Sequence, residues 1–234
     1  MPRWPVTWVC TRPCCGAGWG SSGASNLALG DTNGKRDVFL RDRGEPGFPD
    51  VPPGYWAHDE IVACFLGGIV QGYPDGLYHP EVQVTRDQMA VYISRALVTP
   101  TDDAAIPEGP ATASFTDVAS SHWACKWIEY AVAKNVIKGY PDGTYVPAGS
   151  VDRGQMAVYI ARAMVAPGGD AAVPAPTGDP TFPDVPAEHW VYQQVEYCAD
   201  HGVVKGYPDG TYQPAVVVTR DQMAVYVARA FELQ

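Results

Sequence analysis

Basic residues are scarce in this chain. Its 234 residues hold 16 Lys and Arg against 26 Asp and Glu, a net charge of −10. A nucleic-acid binder needs a basic stripe to neutralise phosphates, so that class is excluded. Long apolar runs are missing too. The longest, Ile61 to Val70, already contains Gly67 and Gly68, and a membrane-spanning helix needs roughly 18 apolar residues. No Cys-x-x-Cys pair occurs among the six cysteines, so a zinc site lacks its usual spacing. Cys10, Cys14 and Cys15 crowd the N-terminus, while Cys64, Cys125 and Cys198 lie far apart in apolar surroundings. A chain this long needs no disulfide scaffold, and buried thiols are the expectation.

Apolar residues and turn formers, by contrast, are plentiful. An apolar share of 46% excludes wholesale disorder, and 24 Gly with 22 Pro imply many turns and linkers. The chain repeats itself with a step of 67 residues. Phe48-Pro49-Asp50-Val51 returns as Phe115-Thr116-Asp117-Val118 and Phe182-Pro183-Asp184-Val185. Trp56, Trp123 and Trp190 keep the step, as do the Gly-Tyr-Pro-Asp-Gly segments beginning at Gly72, Gly139 and Gly206, and Arg86, Arg153 and Arg220. Three copies without an insertion mean three equivalent units, 48–97, 115–164 and 182–231. The stretches between them, 98–114 and 165–181, are rich in Pro, Ala, Gly, Thr and Asp and read as extended linkers over the surface.

Each unit predicts two helices. The first follows the Trp and shows one apolar face: Ile61, Cys64 and Phe65, then Ile128, Ala131 and Val132, then Val195, Cys198 and Ala199. It ends near Gly67, Asn135 or Gly202, as a C-terminal cap requires. Gly-Tyr-Pro-Asp-Gly is a tight turn. The second helix opens on Thr85-Arg86-Asp87-Gln88, Asp152-Arg153-Gly154-Gln155 or Thr219-Arg220-Asp221-Gln222. These are capping boxes, in which Thr or Asp accepts from the third amide and Gln reaches back. Its buried face carries Met89, Ile93 and Ala96 and their equivalents. Two helices cannot cover their own apolar faces, whereas three units packed about a shared axis can.

These motifs in fixed order, Phe-x-Asp-Val, His/Tyr-Trp, Gly-Tyr-x-Asp-Gly-x-Tyr-x-Pro and Thr-Arg-x-Gln, resemble the S-layer homology domain. The resemblance covers residues 48–231, nearly four-fifths of the chain. It implies a mainly α fold: a pseudo-threefold helical bundle, a three-pronged spindle of three helix-loop-helix repeats. It also implies non-covalent anchoring to the bacterial cell wall. The partner would be secondary cell-wall polysaccharide bearing pyruvate ketals, or peptidoglycan, held in grooves between repeats. The sequence departs from the family's Thr-Arg-Ala-Glu at Asp87, Gly154 and Asp221, and at Gln88, Gln155 and Gln222. Tyr55 stands where His122 and His189 stand, and Gln71 where Lys138 and Lys205 stand, so the three grooves are not expected to be equally competent.

Arg at the first turn of a helix offers a bidentate fork, and free amides beside it add positive potential. Arg86, Arg153 and Arg220 are therefore the expected anion ligands. Trp56, Trp123, Trp190, Gly72, Gly139 and Gly206 would shape the grooves, with Lys138 and Lys205 as auxiliary cations. Rival readings stand beside these. The Trp column packs at least half into the core. The Arg column is solvated, or paired to Asp87 and Asp221. Asp50, Asp117 and Asp184 are backbone caps, and Asp75, Asp142 and Asp209 are turn formers. Arg95, Arg162 and Arg229 form surface or inter-unit ion pairs.

The five His do not fall in one column and the recurring carboxylates sit in turns and caps, so no catalytic residue is selected. No cofactor or metal is expected. Asp31, Asn33 and Asp37 miss the calcium-loop pattern, with Lys35 in a ligand position. Residues 1–47 read as a poorly ordered segment, with 25–43 resembling the closing part of a bacterial β-propeller blade. Pro2, Pro5 and Pro13 leave no apolar core for an export signal, so the chain reads as a fragment of a larger cell-surface protein, or as one whose start is misassigned. The alternative to wall anchoring is self-association in a surface lattice. A third reading is a carbohydrate-active enzyme.

Overall fold

The computed structural model describes residues 47–99 and 103–233. The N-terminal expectations, the propeller-blade remnant, the calcium reading and Cys10, Cys14 and Cys15, lie outside the described residues. Six α-helices form among the described residues: α1 His58–Leu66, α2 Arg86–Val98, α3 Cys125–Ala133, α4 Arg153–Met164, α5 Tyr192–Asp200 and α6 Arg220–Ala230. Two short 3-10 turns and isolated β-bridges accompany them. Among the described residues no helix is long and apolar enough to cross a membrane.

The mainly α expectation holds, and the predicted faces are buried. Ile61, Ile128, Val195, Met89, Met156, Met223, Ile93, Ile160 and Val227 are fully enclosed. Phe65 is the exception. It lies exposed, its ring set edge-on against Phe48 at 5.0 Å. Cys64, Cys125 and Cys198 are free and buried. Burial pushes the Cys64 and Cys198 thiols up to about 12, so they serve as packing groups and not as nucleophiles.

A repeat does not fold onto itself. Its first helix packs on the second helix of the repeat before it: α3 on α2, α5 on α4, and α1 on α6. The second helices α2, α4 and α6 also touch one another. At one end, three fully buried valines close a loop of backbone hydrogen bonds: the Val84 amide donates to Val218, Val151 to Val84 and Val218 to Val151, at 2.9–3.0 Å. Every buried aliphatic face is thus shared between repeats, and none of the three has a core of its own.

Helix starts follow the same rule, and here two expectations need correction. At Asp152 half of the box forms: its carboxylate accepts from the Gln155 amide at 2.7 Å, while the Gln155 side chain donates to the same carboxylate at 3.1 Å instead of accepting from the Asp152 amide. At Thr85 the box is present, the Gln88 side chain accepting from the Thr85 amide at 3.3 Å, and in the Thr85 and Thr219 repeats a further carboxylate joins the cap. Asp87 and Asp221 accept from the amides of Gln88 and Gln222 and from the hydroxyls of Thr85 and Thr219. The first-turn amides are not free either. Arg86 and Asp87 donate to the Gly149 and Pro147 carbonyls, Arg153 and Gly154 to Val216 and Pro214, and Arg220 and Asp221 to Val82 and Pro80. Each helix start is capped by the next repeat, which removes the bare helix terminus as an anion site.

The linkers hold more structure than their composition suggests. Each carries a 3-10 turn, Asp103–Ala105 or Gly169–Ala172, and a buried aliphatic, Ile106 or Val173. Asp103 binds Arg95 through two oxygens at 2.8–2.9 Å. Asp170 grips Arg162 at 2.6 and 2.9 Å and also accepts from Lys138 at 2.7 Å. The predicted ion pairs of this Arg column therefore form, clasping linker to helix. Arg229 approaches Glu60 on α1 instead, at 3.9 Å. Hydrogen bonds from Arg162, with Lys138 adding to them, hold the Asp170 carboxyl down at about 2. The stability contributed by this clasp is complete above the ordinary Asp value of about 4 and is lost as pH falls toward 2. Urea midpoints compared at pH 5 and pH 2.5 test this. The drop should be smaller in Asp170→Asn than in the native chain, and an equal drop would show that the clasp contributes nothing.

Candidate functional site

Grooves lie where three repeats meet. In the first, Gly72, Tyr73 and Tyr92 of repeat one face Arg220 of repeat three and Trp123 of repeat two, around about 220 Å³. In the second, Gly139, Tyr140 and Tyr159 of repeat two face Arg86 of repeat one and Trp190 of repeat three, around about 370 Å³. The third set of equivalents brings Arg153 over Tyr207 and Tyr226 of repeat three.

The three Arg side chains are neither solvated nor paired to Asp. They are 6%, 5% and 3% exposed for Arg86, Arg153 and Arg220. Each guanidinium stacks on a buried Tyr of the next repeat, Tyr145, Tyr212 or Tyr78, at 4.4–4.6 Å. Each Nε donates to that Tyr's carbonyl at 2.6–2.9 Å, and the Tyr hydroxyl returns a bond to the Arg carbonyl. Beyond this shared lock the three differ. Arg153 also donates to the Tyr226 hydroxyl and, at 3.1 Å, to the Lys205 carbonyl. Arg220 does the same toward Tyr92 and, at 3.0 Å, the Gln71 carbonyl. Arg86 reaches only the Gln155 side chain, at 3.2 Å, and its Nη2 makes no hydrogen bond among the described residues.

Tryptophan reverses the core expectation. Trp56, Trp123 and Trp190 are 59%, 56% and 64% exposed. The indole N–H of Trp123 donates to Asp87 at 3.1 Å, and that of Trp56 to Asp221 at 3.0 Å. This is the work of the carboxylates that the sequence had paired with Arg. Tyr55 joins the second of these. Its hydroxyl donates to Asp221 at 2.7 Å, and burial together with that carboxylate pushes its pKa to about 12. His122 stands 3.9 Å from Asp87 in the equivalent place. Among the described residues Trp190 has no such acceptor, because Gly154 occupies the position.

Glycine in the turn has a packing cause. A Cβ on Gly72, Gly139 or Gly206 would lie 2.6, 2.3 or 2.6 Å from the ring of Phe48, Phe115 or Phe182. Among the auxiliary cations, Lys138 is tied to Asp170, and Lys205 is exposed with its carbonyl bound to Arg153. The remaining carboxylates behave as caps. Asp50, Asp117 and Asp184 each accept two backbone amides at 2.7–2.9 Å. Asp75, Asp142 and Asp209 each accept an amide two residues on at 2.9–3.0 Å. Sequence reasoning missed Tyr92, Tyr159, Gln155 and Arg162 as groove walls. All lie in repeating columns, which is the available signal, but Gln155 reads as a cap, Arg162 as an ion-pair partner, and Tyr92 and Tyr159 carry no local motif.

Comparison with known proteins follows the same division into three. The family model described as S-layer homology domain matches residues 47–90, 114–157 and 181–224. Cell surface glycoprotein 1 of Acetivibrio thermocellus is 30% identical over 70% of this chain and 7% of its own length. The cellulosome-anchoring protein of the same organism is 30% identical over 70% of this chain and 35% of its own. S-layer protein EA1 of Bacillus anthracis is 29% identical over 77% and 20%. The chain thus spans at most about a third of these relatives.

Proposed function

Because the chain belongs to the S-layer homology domain family, we propose that it is a cell-surface module, associated with the cell wall, that anchors its bearer non-covalently and performs no catalysis itself. Its ligand is an anionic secondary cell-wall polysaccharide, bearing pyruvate ketals, or peptidoglycan, gripped in the inter-repeat grooves. The names of its relatives, cellulosome-anchoring and S-layer proteins, support that assignment. One observation carries it: Trp123 and Trp190 stand more than half exposed beside the buried Arg220 and Arg86 at seams between repeats, and Trp56 is as exposed as they are. A large exposed aromatic column is costly to keep in water without a partner. An indole face covers the apolar side of a sugar while a guanidinium or ammonium group meets its acid. Arg86, Arg153, Arg220, Lys138 and Lys205 supply the positive potential, and Gly72, Gly139 and Gly206, each seated against a Phe ring, shape the grooves.

Co-sedimentation with purified wall sacculi tests this. The protein should pellet with walls. A Trp56→Ala, Trp123→Ala, Trp190→Ala chain, folded by circular dichroism, should bind at least about tenfold more weakly, as expected for loss of aromatic anchors. Unchanged pelleting would sink the groove reading, and release of reducing sugar from the walls would point to an enzyme instead.

A further inference from the structure

The three seams are built from one pattern, yet among the described residues one of them leaves an edge of its Arg fork unengaged. At two seams the Arg fork is fully engaged by the protein. Arg153 and Arg220 each place Nε, Nη1 and Nη2 on a backbone carbonyl, a Tyr hydroxyl and a second backbone carbonyl. In the third, Tyr159 has turned its hydroxyl toward Tyr145 at 3.3 Å, so Arg86 finds only Gln155, at 3.2 Å. One amino edge of its guanidinium is left for a guest.

The Trp beside Arg86 is open as well. Trp56 and Trp123 have their N–H held by Asp221 and Asp87, whereas Trp190 faces Gly154 and donates to nothing among the described residues. A second residue shows that this is built into the packing. Val191 stands where the other repeats have Ala57 and Ala124. A Cβ on Gly154 would come within 3.3 Å of the Val191 methyl. The larger side chain thus crowds the space beside Gly154, and the nearby carboxylate is that of Asp152, 3.4 Å from the same Cβ and bound to Gln155 in place of the indole. Charge separates this groove from that of Arg220 only: Lys138 lines it where Gln71 lines the other, while Lys205 holds the same position in the Arg153 seam.

We propose, resting on the anchoring reading above, that the chain binds a single carboxylate-bearing sugar residue, at the Arg86–Lys138–Trp190 seam, and that Arg153 and Arg220 are architectural. The sugar's carboxylate takes the unengaged edge of Arg86 and competes with Asp170 for Lys138. Its ring lies on Trp190, whose N–H donates to a hydroxyl. Such a carboxylate can belong to a uronic acid or to a pyruvate ketal, and the two are separable by probe.

Titration calorimetry with the methyl glycoside of glucuronic acid, and separately with a methyl glucoside carrying a pyruvate ketal, should give one site for at least one of them. Trp190→Ala should weaken it about tenfold, and Trp56→Ala or Trp123→Ala by less than about twofold. The double variant Gly154→Asp, Val191→Ala rebuilds the pattern of the other seams. It should tie the indole down and weaken binding without lowering the thermal midpoint. Two or three sites, or equal losses at all three Trp, would overturn the assignment. A chain that pellets with walls but takes up neither glycoside overturns it while leaving the anchoring role intact. A chain that does not pellet at all removes both.

Discussion

Arg153→Ala and Arg220→Ala should each destabilise the protein by about 3 kcal/mol or more, because each strands two buried acceptors, at about 1–3 kcal/mol apiece, and a third that is partly buried. For Arg220 those acceptors are the Tyr78 carbonyl, the Gln71 carbonyl and the Tyr92 hydroxyl. The stacked contact with Tyr78 at 4.4 Å goes as well. A domain's whole stability is about 5–15 kcal/mol, so either variant should unfold at a much lower urea concentration than the native chain. Arg86→Ala strands one carbonyl and one amide side chain and should cost visibly less. Urea midpoints of the three single variants rank them. A uniform loss, or one below about 1 kcal/mol for Arg220→Ala, would mean that water replaces the guanidinium and that the lock is not structural. The consequence for binding experiments is direct: loss of wall binding on removing all three Arg would report unfolding, and the exposed Trp column is the cleaner probe.

The second large effect concerns the carboxylate that opens each repeat. Asp184→Ala should cost about 2–4 kcal/mol, since two backbone amides lose a charged acceptor at roughly 1–3 kcal/mol each. Those amides belong to Tyr212 and Gln213, at 2.8 and 2.7 Å. Gln213 is held with φ at 56°, a conformation L-residues seldom adopt, and the carboxylate is what fixes it. Tyr212 is the residue on which Arg153 stacks, so the loss spreads into the neighbouring seam. Asp184→Asn retains one acceptor and should lose about half as much. Thermal unfolding of both variants decides the matter, and equal midpoints for Asp184→Ala and the native chain would assign the turn to its own backbone.

Much of this architecture was legible in the residues. The step of 67 located the three units, the Asp152-x-x-Gln155 box located a helix start, and the spacing of Met89, Ile93 and Ala96 gave the buried face. A period states which residues are equivalent, but not which copy each one touches. That α3 packs on α2, or that Tyr145 receives Arg86, depends on how the chain returns between copies, and local spacing carries no trace of it. Polar partners were hidden for a related reason. Asp87 adjoins Arg86 in sequence, yet neighbouring residues on a helix point apart, and Asp87 meets Trp123 from another repeat instead. Burial of the Arg column was illegible because an Arg that hydrogen-bonds to carbonyls looks, in sequence, like one in solvent.

The loop of Val84, Val151 and Val218 bears on how such an anchor can evolve and fail. Each backbone link in it has its donor in one copy and its acceptor in another, so a chain shortened by one copy leaves an amide on one side and a carbonyl on the other, both in apolar surroundings. Grip cannot then be tuned by shedding or adding single copies, as it can in open solenoids whose length is free to vary. A frameshift in any copy should therefore unfold all three together, and gains in holding power must come from duplicating the full trio.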